Sequence, residues 1–321
     1  MNIAFAGFRH SHIMVLYNKA LKTEDIRITG CFEADSEVKA NAENNWGIHF
    51  TYGSYEELLN DSTVDAVAIG DYYQKRGSMV ISALEHGKHV ICDKPICTDL
   101  VELEKIRQLS QEKKLQVSCM LELRYMSQVQ KVKELIENDV IGKVHIVSFT
   151  GQHPLNYGSR PEWYFEKGKH GGTINDIGIH GIDLLRYITG KNVTDIHYAR
   201  TWNAFADKEP QFLDCGQFSV SMEDIAVNAD VSYAAPTFQG ILPTYWSFYF
   251  WGTEGMLHFN LKDSNVIRLY RDKEEIIECV KPDTDYLHDF INEIKGIHTM
   301  LDTEGVLESQ KQILEIQKEC H

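Results

Sequence analysis

The chain has 321 residues, 43% of them hydrophobic and 25% charged, which suits two ordinary globular domains and excludes a disordered polymer. Its 47 acidic against 32 basic residues leave a net charge of −15, a field that repels phosphate backbones and anionic lipid surfaces and so argues against nucleic acid and membrane as partners. No apolar run reaches the ~20 residues of a membrane span. The start, MNIAFAGF, lacks a basic leader with a long apolar stretch, so a cytoplasmic protein is expected. The seven cysteines, Cys31, Cys92, Cys97, Cys119, Cys215, Cys279 and Cys320, follow no paired spacing and read as reduced thiols rather than a disulfide framework or a zinc site.

In chain order, residues 2–6 read as a strand, followed by a Gly7 turn and a helix over 11–21. A strand over 26–32 and a helix over 36–45 come next. Residues 64–69 form a near-continuous apolar run, the mark of a strand buried on both faces. A helix over 77–85 stops at Gly87, and strand 89–92 follows. A helix capped at Thr98 or Asp99 and running to about 112 leads into strand 116–119. This alternation predicts a parallel, doubly wound sheet with right-handed crossovers. Beyond 121–124 the pattern changes. Strands are expected over 143–150, 195–203, 217–222, 226–233, 245–251, 256–260 and 266–271, with helices over 177–188, 284–295 and 303–319. The fold class expected is therefore a Rossmann-like dinucleotide-binding domain over 1–122 and a largely antiparallel α+β domain for substrate and oligomerisation over 123–321.

Two motifs stand about eighty residues apart. Cys92-Asp93-Lys94-Pro95 closes the strand 89–92. Gly171-Gly172-Thr173-Ile174-Asn175-Asp176-Ile177-Gly178-Ile179-His180-Gly181-Ile182-Asp183 opens the helix of the second part. In this order they resemble the glucose–fructose oxidoreductase / inositol dehydrogenase / MocA family, as a divergent member. The likeness extends to the Rossmann-like start, to 83–88, Arg124, 252–255 and the final helix. It implies an NAD-dependent dehydrogenase acting on CH–OH groups, in which Lys94, Asp176 and His180 meet at the nicotinamide. It also implies a secondary hydroxyl of a sugar, inositol or related polyol as substrate.

The residue chemistry agrees with these roles. Ligands of an open parallel sheet bind beyond the carboxyl ends of its strands, where Lys94 stands. Pro95 restricts the residue before it, so the amine is aimed by the backbone and can lower the cost of deprotonating a hydroxyl. Taken alone, it also reads as a surface lysine before a turn proline. Asp176 and His180 are four apart, on one face of a helix, and a carboxylate beside an imidazole raises its basicity. Spacing alone equally fits a carboxylate at a helix N-terminus and a satisfied interior histidine.

The nucleotide loop departs from G-x-G-x-x-G: it reads Gly7-Phe8-Arg9-His10-Ser11-His12, and only the first glycine remains. Arg9 is a cation that could bind diphosphate, and the following helix offers free N–H groups. Glu33 occupies the acidic position for the adenosine ribose, which favours NAD over NADP, and reads equally as a loop glutamate. Gly70-Asp71-Tyr72-Tyr73-Gln74-Lys75-Arg76-Gly77 replaces the family's usual cofactor-lining turn. Gly70, Asp71, Tyr72 and Arg76 join Gly7, Phe8, Arg9, His10, Glu33, Asp93 and Lys94 as expected cofactor contacts.

On the substrate side, Arg124, His153, Tyr157, Arg160 and Trp163 join Asp176 and His180 as candidates. The donors and rings of 151–164 suit polyhydroxylated ligands, and a plain surface loop reads as well. Convergence of His153, His170, His180 and Asp176 on a metal matches no strong ligand pattern, and no metal is expected. One rival function shares these residues, an NAD-assisted glycoside hydrolase or lyase using transient oxidation; a second, a non-catalytic nucleotide or sugar sensor of the same fold, is kept open by the altered fingerprint and opposed by the presence of Lys94, Asp176 and His180. Aromatic and β-branched residues on both faces of 245–251 predict a homo-oligomer, dimer or tetramer.

Overall fold

A computed structural model gives the structure and describes residues 1–235, 246–261 and 265–320. Tyr245, the first residue of the expected strand 245–251, lies outside the described residues. The chain divides into two compact units. One comprises 1–120, 168–171 and 285–310, the other 121–167, 172–284 and 311–321. The chain therefore returns to the first unit late, in addition to the single crossing expected after residue 122.

The first unit is a five-stranded parallel sheet in the order β2-β1-β3-β4-β5. Its strands are β1 (Asn2–Ala6), β2 (Arg27–Phe32), β3 (Ala66–Ile69), β4 (His89–Cys92) and β5 (Val117–Cys119). All four side chains of β3 are buried, as expected for a central strand covered on both faces. The crossovers carry α1 (Ile13–Ala20), α2 (Ser36–Trp46), α3 (Tyr55–Asn60), α4 (Tyr73–Glu85) and α5 (Leu100–Lys113). Asp35 caps α2 and Asp99 caps α5, each accepting two first-turn amides. The fourth helix starts at Tyr73, not at 77, because Tyr73, Arg76 and Gly77 are buried on its inner face.

The second unit is an eight-stranded sheet in the order β13-β12-β11-β10-β6-β9-β8-β7. Helix α6 (Ser127–Glu137) precedes β6 (Val144–Pro154), and α7 (Ile179–Thr189) follows. Then come β7 (Asp195–Trp202), β8 (Cys215–Met222), β9 (Ile225–Ala235), β10 (Ser247–Gly252), β11 (Met256–Asn260), β12 (Val266–Tyr270) and β13 (Glu274–Glu278). Every pairing is antiparallel except β6 with β9. Phe149, Phe248 and Phe259 stack across neighbouring strands with centroids 5.4 and 5.1 Å apart. The helix α7 lies close on this ladder: a Cβ at Gly181 would sit 2.3 Å from the Phe149 ring.

Two helices close the chain, α8 (Tyr286–Ile294) and α9 (Thr303–Lys318). The first is capped by Asp285, buries Tyr286, Leu287, Phe290 and Ile291, and packs beside β5 and α1 of the first unit. No helix among the described residues is long and apolar enough to cross a membrane.

Candidate active site

The loop after β1 is built around Gly7, whose φ of +82° is a left-handed conformation that glycine adopts without cost. A Cβ there would lie 2.7 Å from the Asp71 amide, so the loop and the segment after β3 touch backbone to backbone. His10 donates its amide to the Gly70 carbonyl at 3.2 Å. Among the described residues the amides of Ser11 and His12 meet no acceptor, and both residues are exposed at the start of α1.

Glu33, the residue expected to hold the adenosine ribose, stands directly after β2. Its side chain is buried, with one oxygen accepting the Phe8 amide at 2.6 Å and the other the Asp35 amide at 2.8 Å. Burial raises its pKa against the pull of those two amides. The carboxylate left accessible after β2 is Asp35, whose side chain is 38% exposed. Arg9 is likewise answered from within. Its guanidinium lies 3.3 Å from Asp35, 3.4 Å from Asp71 and 3.9 Å from Glu33, over the Tyr72 ring.

The Asp93-Lys94-Pro95 turn at the end of β4, with a cis Lys94–Pro95 peptide, is held by Arg76. That guanidinium is fully buried. Nη1 donates to the carbonyls of Lys94 at 2.5 Å, Asp93 at 3.0 Å and Pro95 at 3.2 Å. Nε reaches the Asp71 carbonyl at 2.7 Å, and Nη2 the Asp93 carboxylate at 2.8 Å. Arg76 was expected to pair with a dinucleotide; its donors instead satisfy a buried turn. Burial works to raise the pKa of Asp93, but Arg76, His10 and His12 outweigh it and hold the carboxyl below the ordinary range. His10 is pushed down to about 4 by burial, despite Asp93, so its neutral ring donates Nδ1–H to that carboxylate. Lys94 itself is buried, at 5% exposure.

In the second unit the segment Ile174–Gly178 is π-helical and runs into α7. The expectation of one regular helix carrying Asp176 and His180 therefore needs correcting, since Asp176 sits in the wider turn. Such turns cluster at functional sites. Asp176 accepts the hydroxyl of Tyr233, from β9. Burial, and then Asp176, raises the Tyr233 pKa well above its ordinary value, so the phenol stays protonated. His180 meets Trp246 edge to face at 5.4 Å, and His153 meets the same indole at 5.5 Å. His153 belongs to β6, which runs to Pro154 rather than ending at 150 as expected.

The remaining substrate candidates have local duties. Arg160 donates to the carbonyls of Leu155 at 2.8 Å and Pro154 at 2.7 Å and lies over the Tyr164 and Tyr233 rings. Trp163 is buried against Tyr164, while Tyr157 is exposed and stacked on Phe165. Arg124 grips Asp183 through two bonds of 2.8 and 2.6 Å, both residues buried. Sequence reasoning missed Tyr233 and Trp246 because neither stands in a motif. Alternation along β9 could have placed Tyr233 inward, but nothing tied it to Asp176.

Residues 1–121 match the family described as oxidoreductase family, NAD-binding Rossmann fold, and residues 129–258 match the GFO/IDH/MocA C-terminal domain. A myo-inositol 2-dehydrogenase of Thermotoga maritima is 29% identical over 150 residues, 47% of this chain and 43% of that protein. A levoglucosan dehydrogenase of Pseudarthrobacter phenanthrenivorans is 28% identical over 164 residues, 50% of this chain and 42% of the other. The chain spans about half the length of the curated relatives it matches. Among solved structures, an oxidoreductase of Agrobacterium radiobacter in complex with NAD+, L-tartaric acid and magnesium superposes with a TM-score of 0.81 at 18% identity, covering 98% of this chain and 94% of that one. An aldose–aldose oxidoreductase of Caulobacter crescentus complexed with glycerol gives 0.80 at 16%, covering 99% and 97%. At these identities the structures establish the fold alone.

Proposed function

This chain belongs to the GFO/IDH/MocA family of oxidoreductases, and on that premise we propose that it moves a hydride reversibly between NAD and a secondary hydroxyl of a sugar, inositol or related polyol. NAD supplies the hydride acceptor. The first unit suits the diphosphate: a left-handed Gly7 turn leads to open amides at Ser11 and His12 ahead of α1. Asp35, rather than Glu33, is the carboxylate placed to meet the adenosine ribose, and its charge favours NAD over NADP.

Arg76's hold on the Asp93-Lys94-Pro95 turn is the observation that carries the reading. It fixes the backbone of Lys94 at the carboxyl end of a parallel strand, where ligands of this fold bind. Lys94 hydrogen-bonds the reacting hydroxyl and stabilises its oxygen as the proton leaves. His180 takes that proton, and Asp176, held by Tyr233, supplies the negative charge that favours an imidazolium. Ile146, Tyr198 and Trp251 leave large exposed apolar surface on the second unit's sheet, which supports a homo-oligomer.

The test is NADH formation at 340 nm across a panel of inositols, aldoses and polyols. Lys94→Ala and His180→Ala are each expected to cut turnover by about 10²–10⁴-fold, with far-UV circular dichroism unchanged. Wild-type rates in both variants, or cleavage of glycosides without net NADH, would sink the assignment.

A further inference from the structure

The loop that replaces the glycine fingerprint carries a donor set of its own. His10, His12 and Asp93 each offer a ligand atom, and the three atoms lie within 4.8 Å of one another. Asp93 is fully buried. Its Oδ2 is held by Arg76 and His10, but its Oδ1 accepts no hydrogen bond among the described residues. Leaving a buried carboxylate oxygen unsatisfied is costly, and such an oxygen calls for an ion or a donor. The atom facing it is His12 Nδ1, 3.8 Å away on a side chain that is 52% exposed.

We propose that His10, His12 and Asp93 form a binding site for a divalent transition-metal ion of the zinc or cobalt type. Two imidazoles and one carboxylate suit such ions, and three protein ligands leave a coordination position open. Both histidines turn Nδ1 toward Asp93. On entry, the ion takes the place of the proton that His10 Nδ1 shares with the carboxylate: the neutral ring switches tautomer, its one proton moving by way of solvent to Nε2 beside the Tyr73 hydroxyl, and Nδ1 is left as the ligand atom. Rotation of the exposed His12 ring supplies the contraction needed to bring the ligands to about 2.0–2.2 Å from the ion.

The surroundings are organised as a second layer. Arg76 Nη2 fixes the Asp93 carboxylate at 2.8 Å, and the Tyr73 hydroxyl lies 3.4 Å from His10 Nε2, the ring nitrogen facing away from the site. Groups of this kind orient metal ligands. The site uses no residue assigned above to proton transfer and does not depend on the dehydrogenase reading.

Calorimetric titration of EDTA-treated, full-length protein with zinc alone, and visible absorption after adding cobalt alone, test the site without NAD or substrate. One equivalent is expected per chain, with a cobalt spectrum of nitrogen and oxygen ligation. His12→Ala is expected to weaken binding by about tenfold or more. It removes an exposed ring and leaves the Arg76–Asp93 pair intact, so loss of fold does not confound it. His10→Asn should act in the same direction. Absence of a stoichiometric site in the wild type, or zinc binding by His12→Ala as tight as wild type, would overturn the proposal.

Discussion

Among the described residues each unit buries an arginine against an aspartate, and the two pairs do different work. In the first, Arg76 touches its acid with a single nitrogen and gives its remaining donors to the backbone of the Asp93-Lys94-Pro95 turn and the Asp71 carbonyl. In the second, Arg124 meets Asp183 through two parallel bonds, side chain to side chain. The first pair shapes main chain at the end of a strand; the second ties a helix face to the 3₁₀ turn that carries Arg124. Both lie beside a residue proposed for proton transfer. A buried ion pair contributes little net stability, because desolvation offsets the Coulombic attraction. What it confers is a fixed position, and the price appears when one partner is removed.

The largest break in this comparison is expected from Arg76→Ala. It leaves the buried Asp93 carboxylate without a counter-charge, with His10 as its remaining donor, and strands four carbonyls at once, and should lower unfolding free energy by about 4–5 kcal/mol. Arg124→Ala strands one carboxylate, with expected destabilisation at the lower end, about 3 kcal/mol. Urea denaturation of both variants decides the order; equal losses would mean that the carbonyls around Arg76 find other donors. Tyr233→Phe sharpens the picture within the second unit. Asp176 loses its buried phenol donor, and about 2 kcal/mol of stability should go with it. An unchanged denaturation midpoint in Tyr233→Phe would show that this hydroxyl contact carries no weight.

The scaffold was legible where physics leaves one answer. Asn2–Ala6 and His89–Cys92 stand where the apolar runs placed them, because a strand buried on both faces needs a continuous hydrophobic segment. Helices Tyr55–Asn60 and Ser127–Glu137 and strand Glu274–Glu278 were not expected from sequence. The first has only six residues, and the third, Glu-Glu-Ile-Ile-Glu, is an edge strand whose charges mask its pattern; the second has 11 residues and carries Val129, Val132 and Leu135 at helical spacing on its buried face, so it was legible and was passed over. For the candidate site, the spacing names residues but does not say where their side chains turn. Arg9, Glu33 and Arg76 carry charges that read as ligand contacts, yet their partners are carboxylates, amides and carbonyls of the fold. Nothing in residue spacing announces that a backbone group needs a donor. The π-helical turn at Asp176 escaped for a related reason: counting by 3.6 assumes the helix it sets out to detect.

Asp35 gives the smallest and most discriminating test, because it holds two functions in one carboxylate. It accepts the amides of Glu37 at 3.0 Å and Val38 at 3.2 Å, capping α2, and the same group is the accessible charge after β2. Asp35→Ala removes both and should cost about 1 kcal/mol, the usual worth of an N-cap. Asp35→Asn keeps an acceptor for the cap and removes the charge. Its stability should stay within a few tenths of a kcal/mol of wild type, since asparagine caps as well as aspartate. Its ratio of kcat/KM for NAD over NADP should fall, because the 2′-phosphate is no longer repelled and Arg9 has lost one of its three acids. If Asp35→Asn leaves that ratio unchanged while Glu33→Gln shifts it, the ribose is read by the buried acid after all, and the loop must open on binding to release it.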